Sequence, residues 1–259
     1  MKTEDKNILI QTEKIPAGVV INIEGLKKSF GSNIVLNDFN LKLNKGESVV
    51  VLGKSGSGKS VLIKCIIGLL QPDEGLITIF GQDISQLDHE GMDKLRAKIG
   101  FLFQGNALYD SMTVRENLEF PLRRHWLKIS QKEVNTMVME ALENVDLANT
   151  IDMMPAELSG GMRKRIALAR TLILRPDIIL YDEPTTGLDP ITGKEISELM
   201  VEIVKKYQTS SLIISHDMNC VKRTADRIVL LIDGRCYAEG NFESLKNSKD
   251  NNISQFFES

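Results

Sequence analysis

The sequence predicts an α/β fold interrupted by a helical insertion, on three observations. Apolar runs of strand length recur along the chain and alternate with helical patterns. A glycine-rich loop joins one such strand directly to a helix. From about Gly105 to Leu158 strand-like runs give way to amphipathic helical spacing. With 259 residues, the chain is long enough for one large α/β domain or a core with one insertion. Its 42% hydrophobic and 26% charged residues are those of a folded soluble protein.

In chain order, a polar leader at 1–18 precedes Val19 to Phe30, which alternates loosely. Gly31-Ser32-Asn33 then turns the chain into a second strand, Ile34 to Leu43. Glu47 to Leu52 is a short buried strand, and Lys59 to Leu70 a helix beyond the glycine-rich loop. Leu76 to Phe80 and Ile99 to Phe103 are further strands. Thr113 to Trp126 has helical apolar spacing, and Ser130 with Glu133 forms a capping box before a helix from Val134 to Val145. Arg163 to Leu174 is a helix, Asp177 to Tyr181 a strand, and a further helix starts with Asp189 as cap and Pro190 at its first position. Strands at Ser211 to Ile214 and Ile228 to Ile232 follow, then a polar tail, Asn241 to Ser259, containing Phe256-Phe257. There is no internal repeat.

A formal net charge of −3 gives no general pull toward nucleic acid or anionic lipid, although Arg163-Lys164-Arg165 is a candidate local basic patch. Three scattered cysteines, Cys65, Cys220 and Cys236, lack metal-ligand spacing and suit a reducing compartment as ordinary core or surface residues. Met1 to Lys14 is polar and unlike a signal peptide. The runs Val61 to Leu70 and Ile228 to Ile232 are too short to span a bilayer. The expectation is a soluble cytoplasmic protein that serves any membrane process through a membrane partner.

Gly53-Lys54-Ser55-Gly56-Ser57-Gly58-Lys59-Ser60 fits G-x-x-x-x-G-K-[S/T] between a strand and a helix, the context that pattern requires. By chance the pattern arises in roughly one chain of this size in a hundred. Its backbone N–H groups curl around a β-phosphate, Lys59 reaches the β/γ oxygens and Ser60 can ligate Mg²⁺. Ile178 to Tyr181 is a buried strand that ends in Asp182-Glu183. In a chain with a phosphate loop that pair divides its labour: Asp182 holds Mg²⁺ through water, and Glu183 orients and polarises the attacking water. Leu158-Ser159-Gly160-Gly161-Met162 opens another helix with bare N–H groups, a second phosphate-gripping start in a chain with one nucleotide pocket. That surplus points to a dimer sharing its nucleotides.

In this order the motifs resemble those of the ATP-binding-cassette family from about Val19 to Gly240. Leu158 to Met162 stands at the L-S-G-G-Q signature, and Gln104 at the Q-loop glutamine. Gly187-Leu188-Asp189 stands at the D-loop, and His216 at the switch histidine. Phe30 occupies the place of the aromatic that stacks on adenine. The resemblance implies a RecA-like P-loop NTPase core over 19–240, with an antiparallel β-subdomain and an inserted helical subdomain at about 105–165. It implies a head-to-tail homodimer over two ATP with Mg²⁺. Glu183, His216, Gln104 and Lys59 would be catalytic, and Ser60, Gln104 and Asp182 would serve the metal. The loop Gly53 to Ser60, with Val61, Phe30 and Asp189, would bind nucleotide, while Ser159, Gly160 and Gly161 would grip the γ-phosphate on the partner's Lys59. Met162 departs from the usual glutamine, Val61 from a common threonine, and Thr186 from a serine or alanine.

Leu102 to Val114, Glu119-Phe120-Pro121-Leu122-Arg123, Leu158 to Arg165 and Asp189-Pro190-Ile191-Thr192 are similar to the Mla/Mce-type lipid-transport ATPases. That branch implies a peripheral subunit at the cytoplasmic face of a bacterial inner membrane. Its partners would be an integral-membrane permease and an Mce-type lipid-binding protein, with a small regulatory subunit left open and no nucleic acid. Leu108 and Tyr109 are candidate permease contacts, with packing inside the helical subdomain equally weighted. The tail with Phe256-Phe257 is a candidate contact to the neighbouring ATPase or a frayed terminus. Alternative functions are an ATPase for lipoprotein release or amino-acid import, or a soluble ATP-switch protein. The Gln104 to Arg123 stretch argues against the first two. A single cassette without long coiled coils argues against translation and DNA-repair relatives.

Overall fold

The computed structural model describes residues 18–124 and 129–258; most of the leader, Trp126 and Ser259 lie outside the described residues. Two sheets organise the chain. The first is antiparallel, in the order β2-β1-β4-β5, from β1 (Val19–Phe30), β2 (Asn33–Asn44), β4 (Glu74–Ile79) and β5 (Gln82–Asp83). The second has six strands, in the order β10-β9-β3-β8-β7-β6. It is built from β3 (Ser48–Leu52), β6 (Ile99–Leu102), β7 (Ile178–Asp182), β8 (Ser210–Ser215), β9 (Arg227–Ile232) and β10 (Arg235–Gly240). All its pairings are parallel except β10 on β9.

The inner strands of the larger sheet are buried on both faces, so β3, β7 and β9 are largely continuous apolar runs without polar alternation. Successive side chains divide between two cores because they point to opposite faces. Val49 and Val51 join the cluster shared with the antiparallel sheet, with Ile178, Leu180, Leu212 and Ile214. Val50 and Leu52 join the cluster on the helical side, with Ile179, Tyr181, Ile213 and Ile228.

Around the sheets lie α1 (Lys59–Ile66), α2 (His89–Ala97), α3 (Val114–Arg124), α4 (Gln131–Glu143), α5 (Gly160–Leu172), α6 (Pro190–Tyr207), α7 (Met218–Thr224), α8 (Phe242–Lys246) and α9 (Asn251–Ser254). The capping box of α4 is present as predicted: the Ser130 side chain accepts from Glu133 N and Glu133 reaches back to Ser130. Asp189 caps α6 with Pro190 following.

Boundaries differ where local chemistry intervenes. The α1 helix ends four residues before Leu70. Gly68 takes φ +67°, its N–H bonds Cys65 O, and Leu69 N–H bonds Lys64 O, a Schellman stop inside an apolar run. The α5 helix begins at Gly160 instead of Arg163, because Ser159 is its N-cap and both glycines are helical. Strand β10 and helices α2 and α7 carry no clear apolar period, so the sequence does not predict them. Only Leu95 of α2 is buried, and β10 alternates between exposed and half-buried positions. The polar tail is structured: α8 and α9 fold back on the core, with Leu245 and Ile253 buried and Phe242 edge-on to Phe257 at 5.4 Å.

Parallel strands deliver their carboxyl ends to one edge of the sheet, where α/β proteins bind ligands. Here β3 runs into the phosphate loop, β6 into Gln104, β7 into Asp182-Glu183 and β8 into His216. These four strands are contiguous in the sheet order, so four segments distant in sequence converge.

Candidate functional site

The phosphate loop owes its shape to glycine. Gly56 and Gly58 hold φ of +78° and +102°, in the region side chains rarely adopt. A Cβ on Gly58 would come within 2.9 Å of the Val35 carbonyl oxygen, so the β-hairpin and the loop meet there without a side chain between them. Gly58 is also the N-cap of α1 and offers no side-chain bond to its first N–H groups. That helix start faces the site with unsatisfied donors, the arrangement that binds phosphate. The Ser57 hydroxyl is buried and unpartnered among the described residues. Lys59 is buried, and its Nζ donates to Gly53 O at 2.7 Å and Lys54 O at 3.0 Å. Burial pushes its ammonium down from the usual lysine range, opposed by the Glu183 and Asp182 carboxylates.

Across the loop, Ser60 Oγ donates to Asp182 Oδ1 at 3.3 Å. Burial raises the Asp182 carboxyl above its ordinary value, while the Ser60 hydrogen bond opposes that shift. Glu183 is 8% exposed and sits at φ +50°, a left-handed conformation that costs a non-glycine residue about 1–2 kcal/mol. Its N–H bonds Ile214 O at 2.9 Å, which holds the twist against β8. The carboxylate is then fixed from three sides. His216 Nδ1 lies 2.8 Å from Oε2, Thr186 Oγ1 donates to Oε2 at 3.3 Å, and Lys59 Nζ stands 3.8 Å from Oε1. Thr186, which the sequence marks only as a departure, thus touches the candidate base.

A cavity of about 490 Å³ opens over these groups, lined among others by Phe30, Lys59, Ser60, Gln104, Glu183 and His216. Val61 joins the lining. Phe30 is 50% exposed beside the Lys28 ammonium, 5.6 Å from the ring centroid, and so is not core packing. No cluster of three or more His, Cys, Asp or Glu residues among the described residues could hold a metal unaided. Ser60 and Asp182 supply two hard oxygens, a partial set that suits Mg²⁺, which is held by one or two carboxylates together with substrate phosphates.

Ser159, Gly160, Gly161 and Asp189 are absent from this lining. Ser159 Oγ accepts from Met162 N at 3.2 Å as the cap of α5. Gly161 abuts α6, where a Cβ would meet Thr192 Cγ2 at 2.7 Å. Asp189 is engaged as a cap: its carboxylate accepts from the Thr192 hydroxyl at 2.6 Å and from Ile191 N and Thr192 N. The Thr192 hydroxyl holds the Asp189 carboxyl below the usual range. One chain therefore does not bring its signature to its own phosphate loop.

Arg163-Lys164-Arg165 is not a basic patch. Arg163 Nη1 donates to Leu158 O, Lys164 Nζ donates to Gln104 O at 2.9 Å, and Arg165 pairs with Glu195 and bonds Val145 O. Burial pushes the Lys164 ammonium down to about 8, with Asp182 opposing. Leu108 packs against the helical-side core, and only Tyr109 of that pair is exposed, its ring tilted at 50° to Phe120 with centroids 4.7 Å apart. Asn117 and Arg170, not singled out in the sequence, organise this loop. Asn117 accepts from Tyr109 N and donates to Tyr109, Met112 and Thr113 carbonyls, and Arg170 bonds Asn106 O. The signal for Lys164 was present: it falls four and eight residues before Leu168 and Leu172, on the buried face of α5. In the tail, Lys54 Nζ donates to Gln255 Oε1 at 2.9 Å.

The profile of the family described as "ABC transporter" matches residues 36–186. "Probable ribonucleotide transport ATP-binding protein mkl" of Mycobacterium leprae (strain TN) is 41% identical over 94% of this chain and 70% of that protein. "Intermembrane phospholipid transport system ATP-binding protein MlaF" of Haemophilus influenzae is 36% identical over 92% of this chain and 89% of its own. "Methionine import ATP-binding protein MetN" of Campylobacter jejuni is 38% identical over 87% of this chain and 72% of its own. Among solved structures, a dimeric ATP-binding cassette in a post-hydrolysis state with ADP and Pi superimposes with a TM-score of 0.76. It is 34% identical, over 85% of this chain and 98% of that one. With the phosphate loop, Glu183 and His216 lining one cavity and Asp182 bonded to Ser60 at its edge, the chain belongs to the ABC transporter family and is an ATPase.

Proposed function

We propose that this chain is the ATPase subunit of a bacterial lipid-transport system of the Mla/Mce type, working as a head-to-tail homodimer on an integral-membrane permease. The observation that carries the dimer is the separation of Ser159 and its glycines from the nucleotide cavity of their own chain. A second copy supplies them. Residues 19–240 form the nucleotide-binding unit, with 105–165 as its helical part and 241–259 as an appendage on it.

In the mechanism, Phe30 stacks on adenine, and the N–H groups of Gly56 to Val61 with Lys59 hold the β- and γ-phosphates. Ser60 and Asp182, with Gln104 nearby, would hold Mg²⁺, which would supply neutralisation of phosphate charge. Glu183 accepts a proton from the water whose oxygen attacks the γ-phosphorus. The bond from the γ-phosphorus to the bridging oxygen breaks, and ADP and phosphate leave. His216, hydrogen-bonded to Glu183, orients that carboxylate and reaches toward the γ-phosphate. The partner's Ser159 and Gly161 close the site.

The lipid branch is supported by the similarity to MlaF and by the stretch around Gln104 to Arg123. The similarity to MetN makes amino-acid import the second reading. No helix among the described residues is long and apolar enough to cross a membrane. Attachment at the cytoplasmic face of the inner membrane is therefore through the permease, with Tyr109 and exposed Phe103 beside Gln104 as contacts. Affinity capture from detergent-solubilised membranes tests this: a permease with an Mce-type protein is expected. A permease with a periplasmic amino-acid receptor refutes the lipid branch, and no permease at all refutes the transporter.

A further inference from the structure

We propose that Lys164 is a positioning residue for the Q-loop: from inside the helix whose N-terminus carries Ser159, it fixes the backbone at Gln104 and so sets where the Gln104 side chain stands in the nucleotide cavity. Lys164 is 2% exposed, its stem lies within the α5 packing, and its Nζ ends on the Gln104 carbonyl oxygen at 2.9 Å. No carboxylate among the described residues stands within ion-pair distance of it. A buried ammonium without a paired carboxylate is costly, and an apolar side chain of the same length would fill the space without that cost. What the lysine adds is a directed tether to one main-chain atom.

The segment it holds needs holding. Gln104 is exposed, its side chain makes no hydrogen bond among the described residues, and Gly105 follows with open space around its Cα. Asn106 and Ala107 then take consecutive left-handed conformations, φ +63° and +52°. Such a pair persists only where surrounding bonds over-determine it. Those bonds come from α5 twice: Lys164 at Gln104 O, and Arg170 Nη2 at Asn106 O, 3.1 Å. Arg170 also bonds Asn117 and lies over the Tyr109 ring, 5.7 Å from its centroid. One helix therefore joins Ser159 at its first turn to the loop that places Gln104.

The inference rests on the assignment of Gln104 to the hydrolytic site, and a double-mutant cycle on ATP hydrolysis by the full chain separates the two. Lys164→Met removes the donors, Lys164→Gln keeps a shorter donor, and Gln104→Ala leaves the backbone carbonyl in place. We expect Lys164→Met to lower kcat about tenfold with KM for ATP within about threefold, and Lys164→Gln to fall between it and wild type. In the Gln104→Ala background either substitution should cost less than about twofold more. If the Met chain does not fold, the Gln chain carries the same comparison. An equal cost in both backgrounds means that Lys164 acts on the fold and not through Gln104, and overturns the proposal alone. A Gln104→Ala chain with unchanged turnover removes Gln104 from the site, and Lys164 with it.

Discussion

Glu183→Gln is the substitution for which the geometry gives the sharpest expectation. Among the described residues lining the nucleotide cavity Glu183 is the only carboxylate, while its neighbour Asp182 is bonded to Ser60 Oγ, so the substitution removes the one acid that faces the cavity. General-base catalysis contributes about 10²–10⁴ in rate, and each decade is about 1.36 kcal/mol of barrier. At the middle of that range we expect a loss near 10³, or about 4 kcal/mol. Glutamine has the same volume and can still accept from Thr186 Oγ1, so the twist against Ile214 and the phosphate loop should persist. Lys59 loses one of the two carboxylates that offset its burial, but Asp182 remains. ATP affinity should therefore stay within about threefold, and a nucleotide-bound dimer should accumulate. Steady-state phosphate release, equilibrium nucleotide binding and gel filtration with ATP measure the three. A variant that turns over within tenfold of wild type refutes the base role, whatever its affinity.

Three further substitutions probe separate parts of the account. Phe30→Ala should weaken ATP binding by about 1–3 kcal/mol, some 5- to 150-fold, as for an aromatic stacked on a base. Because the ring is half exposed, Tm should move by less than 2 °C, and a large Tm loss would make it core packing. Gly58→Ala places a Cβ against Val35 at φ +102°. It should lower Tm by about 2–8 °C on a cost of about 1–2 kcal/mol and weaken nucleotide binding, both read by thermal denaturation with and without ATP. Glu47 is pushed up by burial but pulled further down by Arg227, whose Nε lies 2.7 Å away, and by Asn44, leaving its carboxyl below 4.5. A depressed carboxylate stabilises the fold above its unfolded pKa and loses that contribution as pH falls through the folded value. Tm of wild type should thus drop more steeply below pH 4.5 than Tm of Glu47→Gln, and parallel curves would contradict it.

Much of the site is legible in the sequence because its parts sit at strand ends. Lys59 lies beyond the loop that follows one short apolar run, and Asp182-Glu183 and His216 close two others; their length and flanks mark such runs as buried strands, and one sheet edge collects them. Phe30 is similarly placed by the end of β1. What the sequence hides is side-chain work that has no period. Thr186 acts through a hydroxyl three residues from Glu183, and Asn117 is a buried amide amid helical spacing that resembles any polar position. Arg163-Lys164-Arg165 misleads because adjacent basic residues on a helix point in three directions. Here one bonds the main chain at Leu158, one is buried, and one meets Glu195. The tail misleads for another reason: its polar composition hides two short caps, Asn241 and Asp250, and single anchors at Leu245 and Ile253. Phe256-Phe257 neither frays nor stands free, since both rings pack against the helical-side core.

The signature at Ser159 carries the central claim, that each nucleotide is held by one chain's Lys59 and the other chain's Ser159. The direct measurement is ATP turnover by dimers assembled from two differently tagged chains carrying Lys59→Ala and Ser159→Arg. With the lesions on separate chains, one composite site carries both and the other is whole, so up to about half of wild-type activity should remain. With both lesions on one chain, each composite site carries one, and activity should fall to a few per cent. The reverse order, with the doubly altered chain's wild-type partner keeping half of the activity, would show that each chain closes its own site and would contradict the account.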